Sequence, residues 1–314
     1  MGSPSPVISP LTTLINGAKA AGHELVAVVS QPARRVGRGK KVEDPPVAAF
    51  AKENGITTLQ PESAKSSDFL DKLKILKPDI IITAAYGQIL NKEFLATPTR
   101  GTINIHPSLL PAYRGATPVP AALFDGRTKT GVTILFTVRK LDAGNIILQE
   151  ESEIEADETT ETLTNRLFER SGELLLKAIE TLQDPSFEGE PQNAELVTHC
   201  RKIEKQDGLI DWALPSSEIV NRFRACQPWP GSYTFSTGTR IAITKLALSD
   251  VASSAPSGSF HFDKKQKCLF VSTKDSCIAI TKLKPSGRKE IDATAFWNGL
   301  KQRENPSFSN EEKV

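Results

Sequence analysis

An amide, an imidazole and a guanidinium lie close together in this chain as Asn104, His106 and Arg114, interleaved with Ser108, Leu109, Leu110 and Pro111. A carboxylate follows in Leu141-Asp142-Ala143-Gly144, behind the apolar run 131–135. These types supply a donor for a developing oxyanion, a group that handles protons and a charge that orients it, which is what group transfer at a carbonyl carbon needs. The Asn104 amide N–H suits the oxyanion and is worth about 3–4 kcal/mol where its geometry fits. His106 serves as base or as charged second donor, according to its pKa. Asp142 would hold the imidazole or an ordered water, and its charge is expected to favour the imidazolium. Plainer uses stand beside these. A histidine after a strand is often structural, Asp142 fits a turn, Asn104 can cap a strand end, and Arg114 can anchor its own loop.

For these side chains to meet, strands must end side by side. The first half alternates apolar runs with helical patterns, which predicts an α/β fold with a doubly wound, Rossmann-like parallel sheet. Runs 24–30, 57–59, 79–85 and 101–105 read as strands, and 9–21, 46–54, 68–76 and 117–124 as helices. The run 79–85 has almost no polar side chain and is the clearest buried parallel strand. Tyr86 and Gly87 follow it, at the carboxyl edge where open α/β sheets bind ligands; Gly87 can equally make a turn. Strands 131–138 and 146–151 flank Asp142, and Leu163, Leu167, Leu174, Leu175, Ile179 and Leu182 mark a long amphipathic helix.

The expected first domain is therefore residues 1–188, with a polar, irregular linker at 189–205. From 206 to 303, short β runs at 240–248, 268–272 and 277–283 predict a small antiparallel β-barrel of OB-like type. Residues 304–314 read as a frayed tail.

A chain of 314 residues fits two domains. Its net charge of +2 means that attraction to polyanions must come from local patches. The cysteines, Cys200, Cys226, Cys268 and Cys277, form no C-x-x-C pair and have no clustered histidines, so no metal is expected and a reducing compartment fits. No apolar run approaches the roughly 18 residues of a membrane span. The start, Met1-Gly2-Ser3-Pro4, has neither a signal nor a transit pattern.

Two basic patches stand out. Arg34, Arg35, Arg38, Lys40 and Lys41 surround Gly37 and Gly39, with no acid until Glu43. The glycines imply a mobile loop rather than a helix. Such a run is often only a solvated face, but it follows a strand and would overhang the sheet edge. Over residues 240–289, ten cations stand against three acids, a balance of +7 that suits a phosphate-backbone platform with steep salt dependence.

The pattern Asn-x-His-x-Ser-Leu-Leu-Pro-x-x-Arg-Gly from Asn104, with Leu-Asp-x-Gly from Leu141, resembles the signature of the folate-dependent formyltransferases. The similarity runs from Gly2 to about Arg288 and includes Val28-Val29-Ser30-Gln31-Pro32, Gly37-Arg38-Gly39-Lys40-Lys41 and Pro228-Trp229-Pro230-Gly231. The resemblance implies 10-formyltetrahydrofolate as co-substrate and a formyl group passed to the α-amine of methionine on initiator tRNA, for translation initiation. It implies catalysis by Asn104, His106 and Asp142, with folate against Ser108, Leu109, Leu110, Pro111, Tyr86 and Gly87. The loop of Arg34, Arg35, Arg38, Lys40 and Lys41 would meet the acceptor stem. A monomer away from membranes is expected, in bacterial cytoplasm or in a eukaryotic organelle matrix. Alternatives are a formyltransferase or hydrolase acting on another amine or on water, and an inactive tRNA-binding homologue.

One departure matters. The family opens with a short apolar strand leading into a Gly-Thr/Ser-Pro loop, and Met1-Gly2-Ser3-Pro4 already looks like that loop. The first strand is expected to be missing, leaving strand edges unpaired at about 1–3 kcal/mol per unsatisfied buried group. Several such groups rival the ~5–15 kcal/mol that holds a domain together.

Overall fold

The structure is a computed structural model and describes residues 1–36, 41–300 and 306–311. The chain divides into two compact units. The first comprises Met1–Pro118, Lys129–Ile154 and Leu163–Arg201; the second comprises Val119–Thr128, Glu155–Thr162 and Lys202–Val314.

In the first unit, helix α1 (Ile8–Ala20) precedes strand β1 (Val28–Val29), and a hairpin of β2 (Arg34–Val36) and β3 (Lys41–Glu43) follows. Helix α2 (Pro46–Glu53) leads to β4 (Thr58–Leu59), which pairs parallel with β1. Helix α3 (Ser67–Leu76), β5 (Ile81–Thr83), α4 (Lys92–Leu95) and β6 (Thr102–His106) come next, β6 lying parallel to β5. Then come the short β7 (Arg114–Gly115) and, after α5 (Pro118–Phe124), which belongs to the second unit from Val119 on, β8 (Lys129–Phe136) and β9 (Ile146–Glu153). The main sheet runs β5-β6-β8-β9, its last two pairings antiparallel.

Position in that sheet explains the composition of β6 and β8. Both are covered on two faces, so Ile103, Ile105, Val132, Ile134 and Leu135 are all buried. Helix α6 (Thr160–Thr181) buries Leu163, Leu167, Leu174, Leu175 and Ile179, one face of a 3.6-residue repeat. Each such leucine contributes about 1.5–3 kcal/mol.

Strands β1 and β5 face each other without pairing. A cleft of about 520 Å³ lies there, lined by Leu25, Val26, Val28, Ile80, Ile82 and Ile105 among others. Met1 and Gly2 occupy one end of it. The Met1 amine donates to Ile82 O at 2.5 Å, Ala84 N–H to Met1 O at 2.9 Å, and Gly2 N–H to Val29 O at 3.0 Å. This short segment thus makes rungs to both strands. Burial pushes the Met1 amine down to about 5.

Residues 189–201, expected as linker, belong to the first unit. Strand β10 (His199–Cys200) pairs parallel with β7, and Glu190 exchanges two backbone bonds with Ile146, each 2.8 Å. These partners are far away in sequence, so a polar stretch without periodicity is nonetheless ordered by backbone pairing.

The second unit holds α7 (Ser216–Ala225), β11 (Ser232–Ser236), β12 (Thr239–Ser249), β13 (Phe260–Asp263), β14 (Cys268–Ser272), β15 (Cys277–Pro285), β16 (Ile291–Asp292) and α8 (Ala293–Gly299). Its antiparallel sheet runs β11-β12-β15-β14-β13, with β16 on β15. Residues 306–311 correct the expected frayed tail. Phe235 and Ser309 exchange backbone bonds of 3.0 and 2.9 Å, while Phe308 N–H reaches Gly258 O at 2.9 Å and Phe260 N–H reaches Pro306 O at 3.1 Å. That segment bridges from β11 to the approach of β13 and closes the barrel. Phe308 is buried, stacked on Phe260 at 4.4 Å and on Trp212 at 5.6 Å between ring centroids.

Candidate active site

Strand β6 delivers both Asn104 and His106, in register with Thr83 and Leu135 and with Thr133 respectively. The Thr83 hydroxyl is shared between Ile103 O at 3.0 Å and Asn104 Oδ1 at 2.8 Å. Holding the oxygen end of the amide turns its Nδ2 end outward as the donor. Thr83 thus fixes the Asn104 amide, and it carries no motif of its own.

His106 is 3% exposed. Its Nε2 lies 2.9 Å from Tyr113 O, a carbonyl that only accepts, so the neutral ring carries its proton on Nε2 and Nδ1 is the basic atom. Nδ1 faces Asp142 Oδ2 at 3.7 Å. Burial holds the His106 pKa below the usual histidine value, against the opposing pull of Asp142 and of the Tyr113 carbonyl. Asp142 does favour the imidazolium, as the sequence implies, but desolvation outweighs it. The ring is poised to accept a proton, with the carboxylate ready to stabilise the cation.

Asp142 adopts φ 49°, a left-handed conformation that is strained for a residue with a side chain. Its Oδ2 accepts the Gly115 N–H at 2.8 Å. Gly115, at φ 127°, comes so close to β10 that a Cβ would lie 2.5 Å from Cys200 O. Only glycine allows that approach. Arg114 is buried, and its Nε and Nη2 donate to Gln192 Oε1 at 3.0 and 2.7 Å, which favours the anchoring use of this residue. Gln192 Nε2 in turn donates to Asp142 O at 2.8 Å and Gly144 O at 2.7 Å.

The loop 107–111 is braced from inside. Ser108 Oγ donates to Ala112 O at 2.7 Å, Thr133 Oγ1 to Ser108 O at 2.6 Å, and Gln149 Nε2 to Leu110 O at 2.7 Å. Leu110 N–H reaches Thr133 Oγ1 at 3.1 Å. Most of the backbone groups expected to meet folate are thus engaged in fixing the loop, and shape is what Leu109, Leu110 and Pro111 offer a ligand.

Tyr86 packs among Val29, Phe69, Leu70 and Phe94. Its hydroxyl is buried without a partner, and burial pushes its pKa up to about 12. Its backbone carbonyl accepts Gln31 Nε2 at 2.9 Å, which ties the end of β5 to the segment after β1. Gly87 has φ 81°, and a Cβ there would meet nothing closer than Gln31 Nε2 at 3.7 Å. Its backbone conformation rather than any lack of space calls for glycine, so it serves the turn.

Of the basic run, Arg34, Arg35 and Lys41 are exposed on the β2–β3 stem, where the structure has a hairpin in place of the expected irregular loop. Arg38 and Lys40 lie outside the described residues. In the second unit, Lys245 and Lys282 sit directly opposite on β12 and β15, a like-charge pair relieved by Glu290 at 3.4 Å from Lys282. Arg240 lies over the Tyr233 ring at 3.9 Å. Among the described residues no group of His, Cys, Asp and Glu is arranged to hold a metal ion. No described helix is long and apolar enough to cross a membrane.

Sequence reasoning missed Thr83, Thr133, Gln149 and Gln192. Each is a single polar residue whose role rests on a distant partner, and only the alternation inside the apolar strands marks Thr83 and Thr133 as inward-facing.

Known proteins match this arrangement along its length. Residues 6–179 match the family model for formyl transferase, and residues 202–301 that for the formyl transferase C-terminal domain. The methionyl-tRNA formyltransferase of Moorella thermoacetica is 36% identical over 299 residues, 95% of this chain and 94% of that protein. The sugar 3N-formyl transferase WlaRD, solved with dTDP and 5-N-formyl-THF, superposes with a TM-score of 0.64 at 18% identity, covering 92% of this chain and 97% of that one. HypX from Aquifex aeolicus, solved with tetrahydrofolic acid, gives a TM-score of 0.60 at 16% identity over 90% of this chain, which spans 50% of HypX.

Proposed function

This chain belongs to the formyl transferase family, and on that premise we propose that it transfers a formyl group from 10-formyltetrahydrofolate to the α-amine of methionine carried by initiator tRNA. The observation that carries the reading is 36% identity with a methionyl-tRNA formyltransferase across 95% of the chain. The His106–Asp142 pair beside an amide set by Thr83 gives that identity its chemistry.

The folate supplies the one-carbon unit as an N-formyl carbonyl open to attack by an amine. Asn104 Nδ2 donates to the carbonyl oxygen as charge builds there. His106 Nδ1 takes the proton that the attacking amine must lose, directly or through one water, and Asp142 stabilises the resulting imidazolium. That proton passes on to N10 as the bond between N10 and the formyl carbon breaks and tetrahydrofolate leaves. Nε2–H on Tyr113 O keeps the ring in the tautomer that leaves Nδ1 free. Ser108, Leu109, Leu110 and Pro111 shape the folate side, with Tyr86 and Gly87 at the end of β5. No metal is required.

On the nucleic-acid side, the exposed Arg34, Arg35 and Lys41, with Arg38 and Lys40, contact the acceptor end. The excess of cations over acids along residues 240–289, Lys245 and Lys282 among them, supports a phosphate-binding face on the barrel. All groups named lie in one chain, and a monomer suffices.

Incubation with 10-formyltetrahydrofolate and methionyl-tRNA tests this. Formylmethionine should form on initiator tRNA in preference to elongator tRNA. Product from neither overturns the reading; transfer to a free amine or to water alone moves the substrate class.

A further inference from the structure

The segment joining the two family-model regions carries a side chain that touches both halves of the site. We propose that Gln192 is a positioning residue for this reaction, clamping the Asp142 loop to the Arg114 strand so that the carboxylate stays in line with His106 Nδ1. The inference deepens the functional reading above and rests on it for the role of the His106–Asp142 pair.

The orientation of the Gln192 amide is fixed by its partners. Arg114 can only donate, so Oε1 must face its Nε and Nη2, at 3.0 and 2.7 Å. The carbonyls of Asp142 and Gly144 can only accept, so Nε2 must face them, at 2.8 and 2.7 Å. Both amide protons and the amide oxygen are therefore engaged. The two carbonyls converge because Asp142 is left-handed at φ 49°, a conformation that needs outside support to persist.

The rest of the segment reinforces the same junction. Asn145 Nδ2 donates to Glu188 O at 2.9 Å, Ile146 pairs with Glu190, and Arg114 N–H donates to Thr198 O at 2.9 Å. Tyr113 N–H donates to Thr198 Oγ1 at 2.8 Å, which steadies the carbonyl that holds His106 Nε2. Residues 188–200 form a strap from one end of the Asp142 loop to the strand after the His106 loop. Gln192 is the side chain through which that strap grips Asp142 itself.

Two variants separate clamping from simple anchoring. Gln192→Met keeps length and loses every hydrogen bond. Gln192→Glu keeps the acceptor for Arg114 but has no protons for the two carbonyls. Both should lower kcat by about 10- to 100-fold, the range that a misplacement of about 1 Å produces. KM for folate and tRNA should stay within about twofold, since no ground-state contact is removed. In an Asp142→Asn background the same substitutions should add almost nothing, because the group they position is already gone.

A readout independent of turnover follows His106 by NMR titration. The ring meets Asp142 Oδ2 and the Tyr113 carbonyl, which Cys200 Sγ also approaches at 3.6 Å; burial raises that thiol, leaving Asp142 as the nearby anion. Loosening Asp142 removes a group that raises the His106 pKa, so the titration in Gln192→Met should shift to lower pH. Full activity in Gln192→Glu overturns the clamp, as does a kcat loss that multiplies undiminished onto Asp142→Asn, or an unshifted titration. If the wild-type protein forms no formylmethionyl-tRNA, the functional reading fails, while the titration still decides the clamp.

Discussion

Strand β5 has two flanks, and they differ in kind. On one side β6 pairs with it in register, and the resulting edge carries Asn104 and His106 with nearly every neighbour fixed. On the other side lies the cleft toward β1, with Met1 and Gly2 at one end of it, bonded to Ile82, Ala84 and Val29. The first flank is over-determined and holds the candidate site. The second holds unpaired edges and affects stability. Rate and stability should therefore respond separately to changes on the two sides.

The largest effect should come from the braced flank. Asp142→Asn is expected to cut kcat by at least about a hundredfold, in line with general acid–base contributions, with tRNA retention on a filter unchanged. Thr83→Val keeps the shape of the strand and removes the hydroxyl that orients Asn104. Part of an oxyanion donor's contribution should go with it, roughly tenfold in kcat, and an unchanged kcat would mean that Asn104 is set by something else.

The pH dependence separates the flanks further. Burial holds the folded His106 pKa below its unfolded value, so the acidic limb of kcat should have its midpoint below the ordinary histidine value of 6.5. A midpoint above that would show that Asp142 outweighs burial. The Met1 amine falls from 8.0 to about 5 on folding. Between those values the unfolded chain holds a proton that the folded chain lacks. Stability should therefore rise with pH through that window and be lost as pH falls from 8 toward 5. Acetylation of the amine should flatten that slope in Tm measurements. The smallest effect should come from Arg34→Ala with Lys41→Ala. It should weaken tRNA binding uniformly and lower the salt slope by about two.

Much of this site is legible in the sequence, for a physical reason. Asn104, His106 and Asp142 sit where short apolar runs end, and runs of that length bounded by turn residues fit buried strands. The Asn104-to-Gly115 spacing adds a pattern too specific to arise from packing. The supports are not legible. Thr83 reads as one polar residue in an apolar run, and Gln192 as a surface glutamine in a polar stretch, because their partners are set by tertiary pairing. The same holds for Phe308. A lone aromatic in a charged, proline-containing end gives no periodicity, yet it is the residue that completes the barrel core. The β2–β3 stem was hidden by the glycines beyond it, which point to irregular backbone.

The barrel's closure by residues 306–309 has a consequence for biosynthesis. A chain is made from its amino end, and domains form as they emerge from the ribosome. The sheet bearing Asn104 and His106 is complete, strap included, once residue 201 is free. The barrel instead waits for residues 306–309 before Phe308 can cover Phe260 and Trp212. A nascent chain arrested before residue 306 would present that aromatic face to chaperones after the first sheet had already formed.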